Sequence, residues 1–113
     1  MGSLDDLKNP GEKELLIRCK AAIRTVDPTA DVILFGSRAR GDAEDDSDYD
    51  LLILTDGDAG LQSEDRFRQS LYPLELETGA VLTVMAYNRK VWESALYREM
   101  PFGRNVRREG LFL

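Results

Sequence analysis

Two aspartates lie two positions apart where the chain enters an apolar stretch. Asp48 and Asp50 stand at the start of the run Tyr49 to Thr55, which is typical of a buried β-strand. Because side chains alternate between the two faces of a strand, both carboxylates are expected to point to the same side. Neighbouring carboxylates repel each other unless a cation lies between them. The pair therefore predicts a site for a divalent metal ion.

A glycine and a serine follow the preceding apolar stretch. Residues 31–35 predict a short strand that ends at Gly36, and a helical turn is expected directly after it. Gly36 would let an anion approach the backbone closely, and Ser37 adds a hydroxyl donor to the free N–H groups of the turn. Arg38 and Arg40 can neutralise phosphate oxygens. An anion-binding turn beside a metal site suits a nucleoside triphosphate with its metal.

The residue types that are missing restrict the chemistry further. The 113 residues include no histidine and a single cysteine, Cys19. This excludes Ser-His-Asp and Cys-His catalytic systems, histidine-ligated metals and intramolecular disulfides. Any metal must be held by oxygen, which favours Mg²⁺ or Mn²⁺. Cys19 is interpreted as a buried core residue, and Trp92 and Tyr97 as packing residues rather than a platform for a base.

The charge of the chain is concentrated in one segment. The sequence has 15 basic and 21 acidic residues, a net charge of −6, which argues against a general nucleic-acid-binding protein. Eight of the acids lie in residues 42–58, which contain no lysine or arginine. No apolar run approaches the length of a membrane span, and residues 1–6 lack the features of a signal peptide. A cytoplasmic protein without membrane contact is therefore expected.

A helix is expected before the first strand. Asn9 is a candidate cap, Pro10 suits the first helical position, and Glu12 could complete a capping box. Apolar residues then recur at helical spacing as far as Val26. This helix would lie directly before the strand that leads into Gly36.

The rest of the chain alternates between helical and strand patterns, which predicts an α/β or α+β sheet packed against helices. Its length predicts one domain over residues 1–113. After the elements already described, the pattern predicts a helix from near Ser63 to Thr78-Gly79, with a kink near Tyr72 caused by Pro73. A strand over Ala80–Tyr87 and a short helix over Arg89–Tyr97 are expected next. The chain should then break at 100–103, form a helical turn at 104–109 and end in a strand or tail at 111–113.

The motifs together resemble a known signature. Residues 36–41 (Gly-Ser-Arg-Ala-Arg-Gly) and 47–51 (Ser-Asp-Tyr-Asp-Leu) resemble that of the DNA polymerase beta-like nucleotidyltransferase superfamily. The short chain and the sequence Arg-Ala-Arg-Gly at residues 38–41 resemble members of its minimal nucleotidyltransferase (MNT) branch. Residues 102–113 resemble the C-terminal tails of that branch. The resemblance implies a nucleotidyltransferase-like fold with a mixed β-sheet flanked by helices. It also implies transfer of a nucleoside monophosphate from ATP or another NTP to an acceptor hydroxyl.

The resemblance gives each motif residue a role. Gly36 and Ser37 would hold the triphosphate, and Asp48 and Asp50 would bind Mg²⁺. Arg38 and Arg40 would either pair with phosphate or brace the acidic loop. Small members of the branch act on or bind helical HEPN-domain proteins, which implies such a partner here.

One residue type of the family pattern is missing. Active members that resemble this chain carry a third acid on a later strand, and Thr83 lies near its expected position. Glu75 and Glu77 precede that strand and are minor candidates to replace the acid. Three hypotheses follow: a nucleotidyltransferase, a weakly active or inactive MNT-fold binding module that covers a partner, and a nucleotide or metal sensor.

Overall fold

The computed structural model describes residues 1–113 and contains a five-stranded sheet in the order β1-β5-β2-β3-β4. Strand β2 runs antiparallel to β3 and β5, whereas β3 pairs with β4, and β1 with β5, in parallel. This arrangement confirms the predicted mixed sheet. The strands are Gly2–Ser3 (β1), Asp31–Phe35 (β2), Tyr49–Thr55 (β3), Leu82–Asn88 (β4) and Leu111–Phe112 (β5).

Helices lie on both faces of this sheet. They are Pro10–Val26 (α1), Ser37–Arg40 (α2), Leu61–Thr78 (α3), Arg89–Trp92 (α4), Ala95–Glu99 (α5) and Pro101–Glu109 (α6), with a 3₁₀ turn at Leu4–Asp6. Alternate residues of β3 enter two separate cores. Leu51 and Ile53 pack with residues of α1 and α3, while Leu52 and Leu54 pack with Trp92 and Val106. The sheet is therefore flanked by helices, as expected. No helix is long and apolar enough to cross a membrane.

Helix α1 begins where the sequence predicts. The Asn9 side chain accepts hydrogen bonds from the N–H groups of Gly11 and Glu12, at 2.8 and 3.2 Å. The expected capping box does not form, because the Glu12 carboxylate reaches away from Asn9 and accepts from the Tyr49 hydroxyl at 3.2 Å. Cys19 lies on the buried face of the helix with no exposed surface, and burial raises the pKa of its thiol to about 12. The prediction of a core cysteine is confirmed.

Helix α3 begins at Leu61, two residues earlier than predicted, and β4 begins at Leu82, two residues later. The early start follows from the turn before the helix, where the Asp58 carboxylate accepts from the N–H of Gly60. One helix continues through Pro73, and it ends at Thr78 with Gly79 in the left-handed conformation at φ 75°, which confirms the predicted end.

The C-terminal helices differ from the prediction. The single helix expected over residues 89–97 is two short helices, because the chain turns at Glu93 and Ser94. The break expected at 100–103 is confined to Met100, since Pro101 occupies the first position of α6, where its missing N–H is tolerated. Gly103 lets α6 start so early: a Cβ atom there would collide with the Tyr97 carbonyl oxygen.

The aromatic residues of this region pack against one another. Trp92 is 2% exposed, and the Tyr87 ring lies 5.3 Å from it and 5.2 Å from Tyr97, between centroids. The Arg107 guanidinium lies 4.7 Å from the Trp92 ring and donates to the Trp92 carbonyl at 2.6 Å. Packing, rather than stacking on a base, therefore accounts for Trp92 and Tyr97.

Candidate nucleotide and metal site

Asp50 lies on β3 with Phe35 of β2 and Thr83 of β4 as its neighbours in register. Since Leu51 faces the core under α1 and α3, the alternation of β3 turns Asp50 to the opposite face. Its side chain is half-buried there. The first candidate ligand thus lies on the sheet face that α4, α5 and α6 cover only in part.

Two neighbours hold the Asp50 carboxylate. The Thr83 hydroxyl donates to Oδ1 of Asp50 at 2.6 Å. On the other side, Oδ2 comes so close to Gly36 that a Cβ atom at that position would overlap it. The phosphate-binding turn predicted from the sequence and a predicted metal ligand are therefore in direct contact across the β2–β3 pair.

Gly36 has a backbone conformation that suits glycine alone. Its φ of 76° and ψ of −157° lie outside the regions open to residues with a side chain. This conformation turns the chain sharply from β2 into α2, and no side chain caps the N–H groups of the first turn. Uncapped N–H groups at a helix start bind anions. Ser37 is the first residue of this turn and is half-buried.

Asp48 directly precedes β3 and is exposed. It closes the acidic loop, whereas Asp50 lies within the strand. The shared orientation of the two carboxylates stays a prediction from the strand alternation.

Arg38 braces the acidic loop. Its guanidinium donates to the backbone carbonyl of Ser47 at 3.0 and 3.2 Å and to that of Asp45 at 3.0 Å. The same group lies 4.4 Å from the Tyr49 ring centroid and 3.7 Å from the Glu12 carboxylate. Its side chain is only 14% exposed. Of the two roles considered for Arg38, these contacts favour support of the loop that carries Asp48.

Tyr49 and Glu12 complete this support, and sequence reasoning missed both. Burial, reinforced by the Glu12 charge, raises the pKa of the Tyr49 phenol, so the hydroxyl remains a donor to Glu12. The sequence signal was weak, because an acid near a helix start is ordinarily explained by capping.

Arg40 takes a different position on the same turn. Its side chain is 43% exposed and pairs with Asp42 at 3.2 Å and with Glu109 of α6 at 3.7 Å. The exposed pair with Glu109 links α2 to α6, and surface pairs of this kind are weak. The pairing of Arg40 with a phosphate, the other role considered for it, stays a prediction.

The two glutamates considered as replacements for the third acid are bound elsewhere. The Glu75 carboxylate accepts from the N–H of Leu82 at 3.0 Å, at the outer edge of β4. Glu77 pairs with Arg18 of α1. Thr83, in register with Asp50, holds the position beside it, and no three carboxylates come together as a metal cage.

The residues that are present fit a magnesium ion. Mg²⁺ is held in proteins by one or two carboxylates together with waters and substrate phosphates, and it does not require a complete protein cage. Asp50 presents a carboxylate held by Thr83, and Asp48, at the loop end, is the predicted second ligand. The donor set contains oxygen only, which suits Mg²⁺ or Mn²⁺.

A glycine turn lies against a strand carboxylate on the open face of a mixed sheet, as the motifs predict for proteins of the nucleotide-and-metal class. Comparison with known proteins agrees with that class: residues 16–102 match the family model of the nucleotidyltransferase domain, and the chain belongs to this family. The matched range includes all six predicted site residues.

One similar solved structure is terminal uridylyl transferase 4 from Trypanosoma brucei with bound UTP and UpU. It is 21% identical over 84% of this chain, with a TM-score of 0.43, and the match spans 40% of that protein's chain. Among curated proteins, no sequence matches significantly.

Proposed function

We propose that this chain is an MNT-type nucleotidyltransferase that uses Mg²⁺ and ATP or another NTP. The contact between Gly36 and Asp50 is the observation that carries the proposal, because it joins the phosphate-binding turn to the metal ligand. Membership of the nucleotidyltransferase domain family supports the reaction class. The product would be a nucleoside monophosphate, AMP from ATP, joined to an acceptor hydroxyl.

In this proposal the chain's own groups bind and orient the triphosphate. The N–H groups of Ser37 and Arg38 and the Ser37 hydroxyl donate to phosphate oxygens, since the N–H groups of Ala39 and Arg40 are bound to the Gly36 carbonyl, while Asp48 and Asp50 hold the metal ion. Bound Mg²⁺ would supply charge neutralisation on the phosphates and alignment of the attacking and leaving oxygens. The acceptor oxygen then bonds to the α-phosphorus, and pyrophosphate leaves.

The environment of Asp50 predicts slow turnover. Thr83, which stands beside Asp50, has no basic group to accept the proton of the acceptor hydroxyl. That proton would pass to solvent water, and general-base help of the usual size, roughly 10²–10⁴-fold, would be lost. A protein acceptor that stays bound through its own interface can be modified even at such a slow rate. The acceptor that we propose is a helical HEPN-like partner.

Thr83 also favours a second function. A binding module with the same fold would keep Gly36 and Asp50 as structural contacts and act by covering its partner without transfer. The two functions differ in whether label moves to the partner, so one assay separates them.

The assay is transfer of α-labelled ATP in the presence of Mg²⁺ and a lysate of the source cells. We expect a labelled macromolecule with the wild type and none with the Asp48→Asn, Asp50→Asn double variant. The matched control is Asp45→Asn, Asp46→Asn, which removes the same charge from the exposed loop and should retain transfer. Absence of label with folded wild type would reject the transferase, and an unchanged partner complex in the Asp48, Asp50 variant would then establish the binding module.

A further inference from the structure

The five-stranded sheet ends at β4, because this strand pairs with β3 on one side and with no other strand of the chain on its other side. β4 is seven residues long, whereas β1, at the opposite edge, has only two. A long free edge presents a row of backbone N–H and C=O groups that can pair with a strand of another molecule. β4 is therefore the edge through which this sheet could join a second chain.

The free backbone groups of β4 belong to alternate residues. The Tyr49 N–H donates to the Val81 carbonyl at 2.9 Å, so Val81 turns its backbone groups toward β3. The backbone groups of successive residues in a strand point to opposite sides. Leu82, Val84 and Ala86 therefore turn their N–H groups away from the sheet.

Two glutamates of α3 take up N–H groups near the two ends of this edge. Oε2 of Glu75 accepts from the Leu82 N–H at 3.0 Å, and Oε2 of Glu64 accepts from the Ala86 N–H at 2.9 Å. Hydrogen bonds to a charged acceptor are roughly twice as strong as those between neutral groups. The Arg68 guanidinium lies 3.6 Å from Oε1 of Glu64 and helps to hold that carboxylate in place. Both ends of the row of N–H groups are thus already occupied.

The spacing of the two glutamates matches the strand. Glu64 and Glu75 lie about three helical turns apart, roughly 16 Å along α3, and so share one face of the helix. Leu82 and Ala86 are about 13 Å apart along β4, a difference within the reach of two glutamate side chains. One face of α3 therefore covers this edge, with Val84 between the two carboxylates.

Apolar surface lies next to the same edge. Val81, directly before β4, and Met85 within it are exposed. On α3, Tyr72 lies one helical turn before Glu75, and Leu76 directly follows it; both are exposed. An open strand edge beside exposed apolar side chains favours pairing between sheets. Without the two carboxylates, two copies of the chain could pair their β4 strands around a two-fold axis.

We propose that Glu64 and Glu75 seal the β4 edge and prevent a second copy of the chain from adding to the sheet. An incoming strand needs the N–H groups of Leu82 and Ala86 for its own carbonyls, and each of them already donates to a carboxylate. Pairing would therefore require both hydrogen bonds to break. This inference does not depend on the proposed function, because none of these residues belongs to the nucleotide and metal site.

The test is sedimentation velocity over a range of protein concentrations. Glu64→Ala, Glu75→Ala removes both acceptors, and alanine maintains the helix. We expect this variant to self-associate about tenfold more tightly than the wild type, since two hydrogen bonds no longer have to break. The matched control is Glu64→Gln, Glu75→Gln, which loses the same charge but retains an acceptor oxygen at each position. It should sediment like the wild type.

Amide hydrogen exchange, measured at concentrations where each protein is monomeric, reports on the seal itself. The Leu82 and Ala86 amides should exchange slowly in the wild type and in the glutamine variant. In the alanine variant they should exchange about tenfold faster, because each loses its acceptor. The Met85 amide, which faces β3, is the internal reference and should not change.

Two outcomes would overturn the proposal. One is a folded alanine variant that remains as monomeric as the wild type. The other is association of the glutamine variant to the same extent, because charge rather than the occupied N–H groups would then separate the copies. Glu75→Ala, with Glu75→Gln as its control, repeats the comparison with a single change in case the double variant does not fold. In that pair the Leu82 amide alone should lose protection.

Discussion

At the scale of single residues, Gly36 meets two requirements at once. Its backbone lies at a positive φ of 76°, and Oδ2 of Asp50 occupies the space that a Cβ atom would need. A side chain would strain the backbone and also push the carboxylate out of place. The close contact of turn and carboxylate therefore depends on the absence of a Cβ atom.

Gly36→Ala should abolish nucleotide binding and lower the free energy of unfolding by about 1–3 kcal/mol, the usual cost of a strained backbone position. Gly41→Ala is the control, because Gly41 also has a positive φ, 84°, but has open space around it. That variant should lose stability yet bind ATP. Calorimetry and urea denaturation measure both quantities, and equal ATP binding by the two variants would contradict the role given to Gly36.

Thr83 is the residue that sets the expected rate. Thr83→Asp would place a carboxylate beside Asp50, and we expect transfer in the labelling assay to rise by about tenfold or more through proton acceptance. Thr83→Asn, of similar size but without charge, should not raise it. If both variants transfer label at the wild-type rate, the identity of the residue beside Asp50 does not limit turnover.

At the scale of elements, the end of α1 is tied to the end of β3. Asp27 follows the last residue of α1 and accepts from the hydroxyls of Thr55 and Thr29. Burial pushes the pKa of Asp27 upward, but these hydrogen bonds and the nearby Arg89 outweigh it, so the pKa lies below its ordinary value of 3.8. The ionised form is therefore favoured by folding.

This pKa shift gives stability a definite dependence on pH. Because the pKa is lower in the folded chain, the contribution of Asp27 is complete above its ordinary value of 3.8 and is lost as pH falls through the folded pKa. Asp27→Asn should destabilise the protein at neutral pH and flatten the acid side of the stability curve. Urea titrations across the acid range, with exposed Asp46→Asn as control, measure this, and parallel curves for wild type and Asp27→Asn would refute it.

Helix boundaries show where local patterns suffice. The start of α1 depends on Asn9 and Pro10, and the end of α3 on Gly79, all of which act within one turn of the boundary. The start of α6 depends instead on a contact between Gly103 and the Tyr97 carbonyl, which only the folded chain creates. The first two were predicted correctly, and the third was wrong.

At the scale of the whole molecule, one sheet separates two cores. Leu16 belongs to the core under α1 and α3, and Trp92 to the smaller core on the other face. Strands β2 and β3 contribute residues to both. We propose that residues 1–113 form one cooperative domain, because neither core can open without exposing the shared strands.

Denaturation by urea should then show coincident transitions by Trp92 fluorescence and by far-ultraviolet circular dichroism. Leu16→Ala, in the first core, should shift both transitions equally and cost about 2–5 kcal/mol. A shift of the dichroism transition alone would mean that the two faces unfold separately.

Local patterns were sufficient to predict a sheet packed against helices and the turn at Gly36, and the resemblance of the motifs implied the mixed sheet and the nucleotidyltransferase superfamily. Composition was sufficient to exclude histidine and thiolate chemistry. These inferences succeed because strand alternation, turn formation and capping depend on residues a few positions apart. The resemblance also placed Thr83 near the position at which active members carry the third acid. The contact of Thr83 with Asp50 joins residues far apart in the sequence, so no local pattern predicts it.

The contacts that support the site are visible only in the tertiary structure. Asp50 and Thr83 are 33 residues apart in sequence, and the Tyr49 hydroxyl reaches Glu12 across 37 residues. The sequence left two roles open for Arg38, pairing with phosphate and bracing the acidic loop. Its contacts with the loop carbonyls and the Tyr49 ring favour the second role. Strand pairing and the packing of α1 on the sheet bring such residues together, because burial of the core determines which distant segments meet.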